Sequence, residues 1–257
     1  MTYKLDDLIG KITCADCMDV LADIPDKSID MICCDLPYGC TNCKWDIPLP
    51  LDKLWGYYER IIKDNGCIVL FGQEPFASII RTSNLPLYRY DYYWVKERLC
   101  NVLNVKQMPG KTVETISVFY KKQPTYNPQM QPRAGREIKP NRPKAGKVGK
   151  LICASNLTPK PYQDNGLRYP TQVLKFKRDI LTSNLHPTQK PVALIEFLVK
   201  TYTNANDVVL DNCSGSGTTA VACNNLKRRF ICIEKDPEYA EKSRERLKRA
   251  QRQINLF

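Results

Sequence analysis

Short apolar runs rich in β-branched residues alternate along this chain with segments whose apolar positions recur every three or four residues. SIDMICCD (28–35) and CIVLFG (67–72) are apolar on both faces and read as buried strands. Between them, LDKLWGYYERIIKDNG places Leu51, Leu54, Tyr58, Ile61 and Ile62 at helical spacing, with Gly66 as its expected C-cap. PFASIIRTSN predicts a short helix, YRYDYYWV (88–95) alternates as a strand does, and ETISVFYK (114–121) predicts another strand. A first strand is expected to end near Cys14. Towards the C-terminus the same alternation returns. PVALIEFLVKTYT (191–203) reads as a helix with Pro191 in its first turn, DVVLD (207–211) as a strand and GTTAVACNNL as a helix. RRFICIE (228–234) then reads as a strand and PEYAEKSRERLKRAQRQ (237–253) as a charged, solvated helix. This order predicts an α/β fold, a mainly parallel sheet with helices on both faces.

Between residues 122 and 185 the periodicity fails, and eight prolines (124, 128, 132, 140, 143, 159, 161, 170) interrupt the chain. Charge concentrates in the same place. From Lys121 to Leu185 there are fourteen Lys or Arg against three acids, which accounts for nearly all of the net +12 of the 257 residues. A basic segment set between two ordered halves predicts a polyanionic partner, because phosphate neutralisation releases counterions. The expected organisation is therefore 1–121 and 186–257 as two halves of one domain, with 122–185 inserted between them. The first residues lack a basic stretch followed by an apolar one, and no run of about 18 apolar residues occurs, so a soluble cytoplasmic protein with no membrane partner is expected. The twelve cysteines are scattered, several inside apolar runs, and read mostly as reduced core residues.

VVLDNCSGSGTTAVA is a strand, a glycine turn and a helix, with Gly215-x-Gly217-x-x-Ala220 in the turn. Glu234 lies nineteen residues after Gly215 at the end of the next strand, where a carboxylate accepts hydrogen bonds from ribose hydroxyls. Asp211 precedes the turn and would repel a pyrophosphate, whereas S-adenosylmethionine carries a cationic sulfonium and an ammonium. The pattern favours that cofactor; the competing reading is a glycine turn that only permits close helix packing.

Fourteen residues, CCDLPYGCTNCKWD (33–46), admit two readings. Cys14-x-x-Cys17 and Cys40-x-x-Cys43 approach the spacing of a four-cysteine zinc ribbon, provided the two preceding strands are neighbours. That reading makes the chain a non-enzymatic, zinc-containing DNA-binding protein. The other takes Asp35-Leu36-Pro37-Tyr38 as the wall of a pocket at the carboxyl end of a strand, where open α/β sheets bind ligands. An aromatic ring, a carboxylate and a proline-fixed carbonyl suit a planar base bearing an exocyclic amine.

DLPYG (35–39) resembles the (D/N/S)PP(Y/F) motif of amino-group DNA methyltransferases, HPTQKP (186–191) their motif near the cofactor's methionine end, and DNCSGSGTT (211–219) their DPFxGSGTT loop. ADCMDVL (15–21) is similar to their GDCxxxL start, and the order of the motifs is that of the permuted β group. Leu36 stands where the family has its first proline, and Asn212 and Cys213 where it has Pro and Phe. The resemblance implies a Rossmann-like, circularly permuted methyltransferase fold with a seven-stranded sheet and a target-recognition insertion.

As site residues the resemblance implies Asp35, Leu36, Pro37 and Tyr38 for catalysis, with Asp16 and Cys17 beside the adenosine. It places His186, Gln189 and Lys190 at the methionine side, and Asp211, Cys213, Gly215, Gly217, Thr218, Thr219 and Glu234 around the glycine loop. Arg133, Arg136, Lys139, Arg142, Lys144 and Lys147 are the expected DNA contacts, and no metal is expected. An Asp at the head of the tetrapeptide is the family's usual mark of adenine N6 methylation, with cytosine N4 as the alternative. Double-stranded DNA is then the substrate, and a second copy of the chain and a cognate restriction endonuclease are further candidate partners.

Overall fold

The computed structural model describes residues 2–40, 43, 46–132, 166–179 and 189–254. The chain divides into a larger compact unit, 1–127 with 172–257, and a smaller one, 128–171. The division is narrower than the 122–185 insertion read from the sequence. In the smaller unit the described residues form a two-residue antiparallel pair, β6 (Gln131–Pro132) with β7 (Leu167–Arg168). Among the described residues no helix is long and apolar enough to cross a membrane.

The larger unit is built on one eight-stranded sheet: β1 (Lys11–Cys14), β2 (Ile29–Cys34), β3 (Ile62–Gly72), β4 (Tyr88–Val95), β5 (Val113–Phe119), β8 (Val173–Lys175), β9 (Val208–Asp211) and β10 (Arg229–Glu234). Their spatial order is β1-β10-β9-β2-β3-β5-β4-β8. Every pairing is parallel except the two made by β5. Helices α1 (Leu5–Leu8), α2 (Cys17–Asp23), α3 (Leu51–Ile61) and α4 (Phe76–Ser83) cover one face, and α5 (Val192–Tyr202), α6 (Thr218–Asn225) and α7 (Pro237–Ile254) the other. Successive residues of β2 serve the two faces in turn: Ile32 and Cys34 join the core under α2 and α3, Met31 and Cys33 the core under α5 and α6. That double burial is why the strand reads as an unbroken apolar run.

Three local expectations change. Gly66 does not cap α3, which ends at Ile61 and passes directly into β3. The glycine sits where the β2–β3 register shifts, and a Cβ there would come 2.9 Å from the Asp30 carbonyl oxygen and 2.7 Å from the Ile62 side chain. Pro191 is the N-cap of α5 rather than a residue of its first turn. The sheet also gains β8 beyond the seven strands expected. It pairs with β4, Leu174 is buried, and the Trp94 indole donates to the Phe176 carbonyl at 2.9 Å. Three residues within a basic, proline-rich stretch carry too little periodicity to announce a strand.

Candidate active site

β9 lies beside β2, with Met31 opposite Val209 and Ile32 opposite Leu210. The carboxyl ends of these two strands therefore open together, and the glycine loop and DLPYG, far apart in sequence, meet over one cavity of about 1100 Å³. Ligands of open α/β sheets bind at such crevices. Of the residues expected at the site, Asp16, Cys17, Asp35, Leu36, Pro37, Tyr38, Gln189, Lys190, Asp211, Cys213, Gly215, Thr218, Thr219 and Glu234 all line this cavity. His186 lies outside the described residues, as do Arg133, Arg136, Lys139, Arg142, Lys144 and Lys147.

At one end the cavity is bounded by the turn from Asp211 to Thr219. Asp211 accepts the Thr219 hydroxyl at 2.6 Å and the Cys213 N–H at 3.2 Å, and burial raises its carboxyl to about 6. Glu234 takes the Gly215 N–H at 2.7 Å and the Asp236 N–H at 2.9 Å, one on each oxygen. A carboxylate oxygen has a second lone pair, so Glu234 retains acceptor capacity towards the cavity. The Ser214 hydroxyl is buried beside the same cavity without a hydrogen-bond partner among the described residues. These donors and acceptors fit the polar ends of S-adenosylmethionine: Glu234 would hold the ribose hydroxyls, Ser214 the methionine carboxylate, and Asp211 the cationic side.

Two of the expected site residues serve the fold. Gly217 does not line the cavity; it caps α6 at φ +72°, and a Cβ there would lie 2.8 Å from Ser243 Cβ of α7. Gly217→Ala should cost roughly 2–4 kcal/mol, combining left-handed backbone strain with overpacking, and a fall in the urea midpoint checks it. Asp16 is the N-cap of α2, accepting the Met18 N–H at 2.9 Å, and pairs with Lys235 at 2.8 Å while still lining the cavity. Helix α7 is not merely solvated. Its Arg246 reaches the glycine loop, donating to the Ser216 carbonyl at 3.1 Å and to the Thr218 hydroxyl at 2.9 Å. An isolated arginine within a charged helix carries no signal of that role.

Cys17 and Cys213 line the cavity, and Cys34 is buried in the core. Cys213 holds the Cys17 thiol below its ordinary value, while Cys17 and Cys34 push Cys213 well up. The zinc-ribbon reading fails on sheet order: β10 and β9 stand between β1 and β2, Cys17 turns into the core, and Cys14 stays exposed. Among the described residues no group of three or more His, Cys, Asp or Glu is placed to hold a metal ion.

The other end of the cavity holds a buried charge network. Tyr38 donates its hydroxyl to Asp35 Oδ1 at 2.6 Å and to Glu114 Oε1 at 3.1 Å, and its ring packs on Phe76 with centroids 4.9 Å apart. Lys190 Nζ lies 2.6 Å from Asp35 Oδ2 and 2.9 Å from Glu114 Oε1, and Lys96 Nζ 2.5 Å from Glu114 Oε2. Lys190, expected on the cofactor's methionine side, lines the cavity with its ammonium on the carboxylate of the tetrapeptide. Burial raises the Asp35 carboxyl, with Glu114 adding to the rise and Lys190 opposing it. Asp46 shapes the loop after the tetrapeptide, its two oxygens taking the Gly39 and Cys40 N–H groups at 2.8 and 2.9 Å. Glu114, Lys96 and Asp46 were missed because single charges in strands and loops have no motif to mark them.

A family model described as DNA methylase, of the N6/N4 group, matches residues 29–245. The type II methyltransferase M1.MboII of Moraxella bovis is 28% identical over 254 residues, covering 91% of this chain and 95% of that protein. The DNA adenine methyltransferase YhdJ of Escherichia coli (strain K12) is 28% identical over 254 residues, covering 90% and 80%. Among solved structures, the crystal structure of the M1.HpyAVI–SAM complex matches with a TM-score of 0.62 and 26% identity over 92% of this chain and 99% of that one. Motif order, the crevice between β9 and β2, and a family match across most of the sequence agree, and the chain belongs to the N6/N4 DNA methylase family.

Proposed function

We propose that this protein transfers a methyl group from S-adenosylmethionine to the exocyclic N6 of an adenine turned out of double-stranded DNA. The observation that carries this reading is that Glu234 and the glycine loop line the same cavity as Asp35 and Tyr38. S-adenosylmethionine supplies, when bound, an electrophilic methyl on a cationic sulfur. The target amine is a poor nucleophile because its lone pair is delocalised into the ring. Asp35 and the Leu36 or Pro37 carbonyl accept its two N–H groups and concentrate negative potential where positive charge develops. Tyr38 stacks on the base, worth about 1–3 kcal/mol against the few kcal/mol of turning it out. The new N–C bond forms as the C–S bond breaks with its electron pair left on sulfur, and the amine then sheds a proton towards Asp35. Asp at the head of the tetrapeptide favours adenine, as does the activity named for YhdJ.

On the DNA side, the basic stretch 122–185 is the proposed target-recognition region, its Lys and Arg divided between phosphates and base edges. The loop between β4 and β5 is a second contact. It is closed by the Cys100 N–H to the Lys111 carbonyl at 2.9 Å, and Cys100, Asn101 and Lys111 line the cavity. At its tip Leu103 is 96% exposed and Val102 64%. Apolar tips of this kind enter base steps and unstack them. Leu103→Ala is expected to slow methylation about tenfold on a matched duplex. Its rate should recover when the target adenine faces a mismatch, because part of the unpairing cost is then already removed. A second copy and a cognate restriction endonuclease are further partners in this reading, and the cytoplasm is its expected setting.

The test is to incubate the protein with S-adenosylmethionine and unmethylated genomic DNA, digest to nucleosides and identify the product by mass spectrometry. N6-methyladenine is expected. N4-methylcytosine would retain the mechanism and overturn the choice of base; absence of both, with no cofactor binding, would overturn the pocket reading itself.

A further inference from the structure

In the free protein both oxygens of Asp35 already hold a strong donor, the Tyr38 hydroxyl on Oδ1 and the Lys190 ammonium on Oδ2, each at 2.6 Å. A carboxylate so engaged has little negative potential to offer an incoming amine. Both donors, however, also reach a second carboxylate. Glu114, on β5 opposite Trp94 and 3% exposed, presents Oε1 to Tyr38 at 3.1 Å and to Lys190 at 2.9 Å. Its other oxygen is held by Lys96 at 2.5 Å, so two lysines face two carboxylates.

We propose that Glu114 is a positioning residue that takes over the Tyr38 hydroxyl and the Lys190 ammonium when the target amine engages Asp35. This rests on the reading of Asp35 as the acceptor of that amine. The contacts are asymmetric in the required sense: each shared donor sits closer to Asp35 than to Glu114 before the base arrives, and only a small movement transfers it. Lys190 is hemmed by the Phe71 and Tyr38 rings, 5.2 and 5.8 Å from their centroids, which limits it to these two partners. Lys96 gives Glu114 a standing countercharge. Burial would raise the Glu114 carboxyl, but the two lysines outweigh it and hold the group below its ordinary value, ionised and ready to accept. Without Glu114, Lys190 would remain on Asp35 and oppose the amine for the same oxygens.

The charged and titratable groups facing Asp35 are Lys190 from the segment before α5, Glu114 from β5, Tyr38 from its own loop, and, less directly, Asp211 and Cys34. Glu114→Gln removes a negative neighbour of Asp35 and leaves Lys190 wholly on it. Single-turnover methylation measured from pH 5 to 9 should then show the plateau rate falling about 30-fold and the acid limb moving to lower pH. S-adenosylmethionine affinity should be unchanged. Glu114→Asp, which keeps the charge, should leave the acid limb in place and recover part of the rate. A Glu114→Gln variant with wild-type rates, or one that slows with its acid limb unmoved or raised, overturns the proposal. Absence of methyl transfer by the wild-type protein overturns the reading beneath it, and the proposal with it.

Discussion

Asp35→Ala is expected to lower methyl transfer by at least about 100-fold while changing S-adenosylmethionine affinity less than about threefold. In the proposed reaction the carboxylate is the charged acceptor of the amine, and loss of one preorganised electrostatic contact costs about 10²–10³ in rate. Removing one member of a buried ion pair usually destabilises strongly, because its partner is left charged and unpaired. Here the damage is contained: Lys190 keeps Glu114 at 2.9 Å and Tyr38 keeps it at 3.1 Å. The variant should therefore fold, with a melting temperature near that of the wild type, and its defect should appear in single-turnover rates. An Asp35→Ala protein that methylates within tenfold of wild type would remove the tetrapeptide from the chemistry.

The second large effect concerns Asp211. Its carboxyl stands at about 6, raised chiefly by burial and held back by the Thr219 hydroxyl and the Cys213 N–H. A cationic cofactor beside it favours the ionised form. Its contribution to affinity is then fully present above pH 6 and is lost as pH falls through that value, with a proton released on binding at the acid end. Isothermal titration should show affinity falling by up to about tenfold for each pH unit below 6. Asp211→Asn should bind about 10- to 100-fold more weakly at pH 7.5, the range of a charge-assisted contact, and should lose this pH dependence. Affinity that stays flat between pH 7.5 and 5 would mean that Asp211 only braces the turn through Thr219 and Cys213.

Much of the site was legible because each motif is local. The tetrapeptide, the glycine turn and Glu234 each report a strand end or a turn whose backbone demands a few residue types within a short span. Gly215 and Gly217 stand at φ +49° and +72°, conformations that glycine adopts without cost, and so the turn showed in the sequence. The division of labour within the turn did not show. Whether a glycine approaches a ligand or a neighbouring helix depends on what stands behind it, and behind Gly217 stands Ser243.

Zinc and pocket were both open to the cysteine-rich stretch because local spacing cannot say which strands are neighbours. That question was settled when β10 and β9 took the places between β1 and β2. The same pairing carried Asp211 to the side of Asp35, and the antiparallel return of β5 carried Glu114 to Lys190 and Tyr38. The elements and the chemistry of each motif follow from residues close together in the chain, where backbone preference and apolar period act. Which carboxylate holds which lysine follows from contacts between distant segments, and only packing of the whole sheet could decide it.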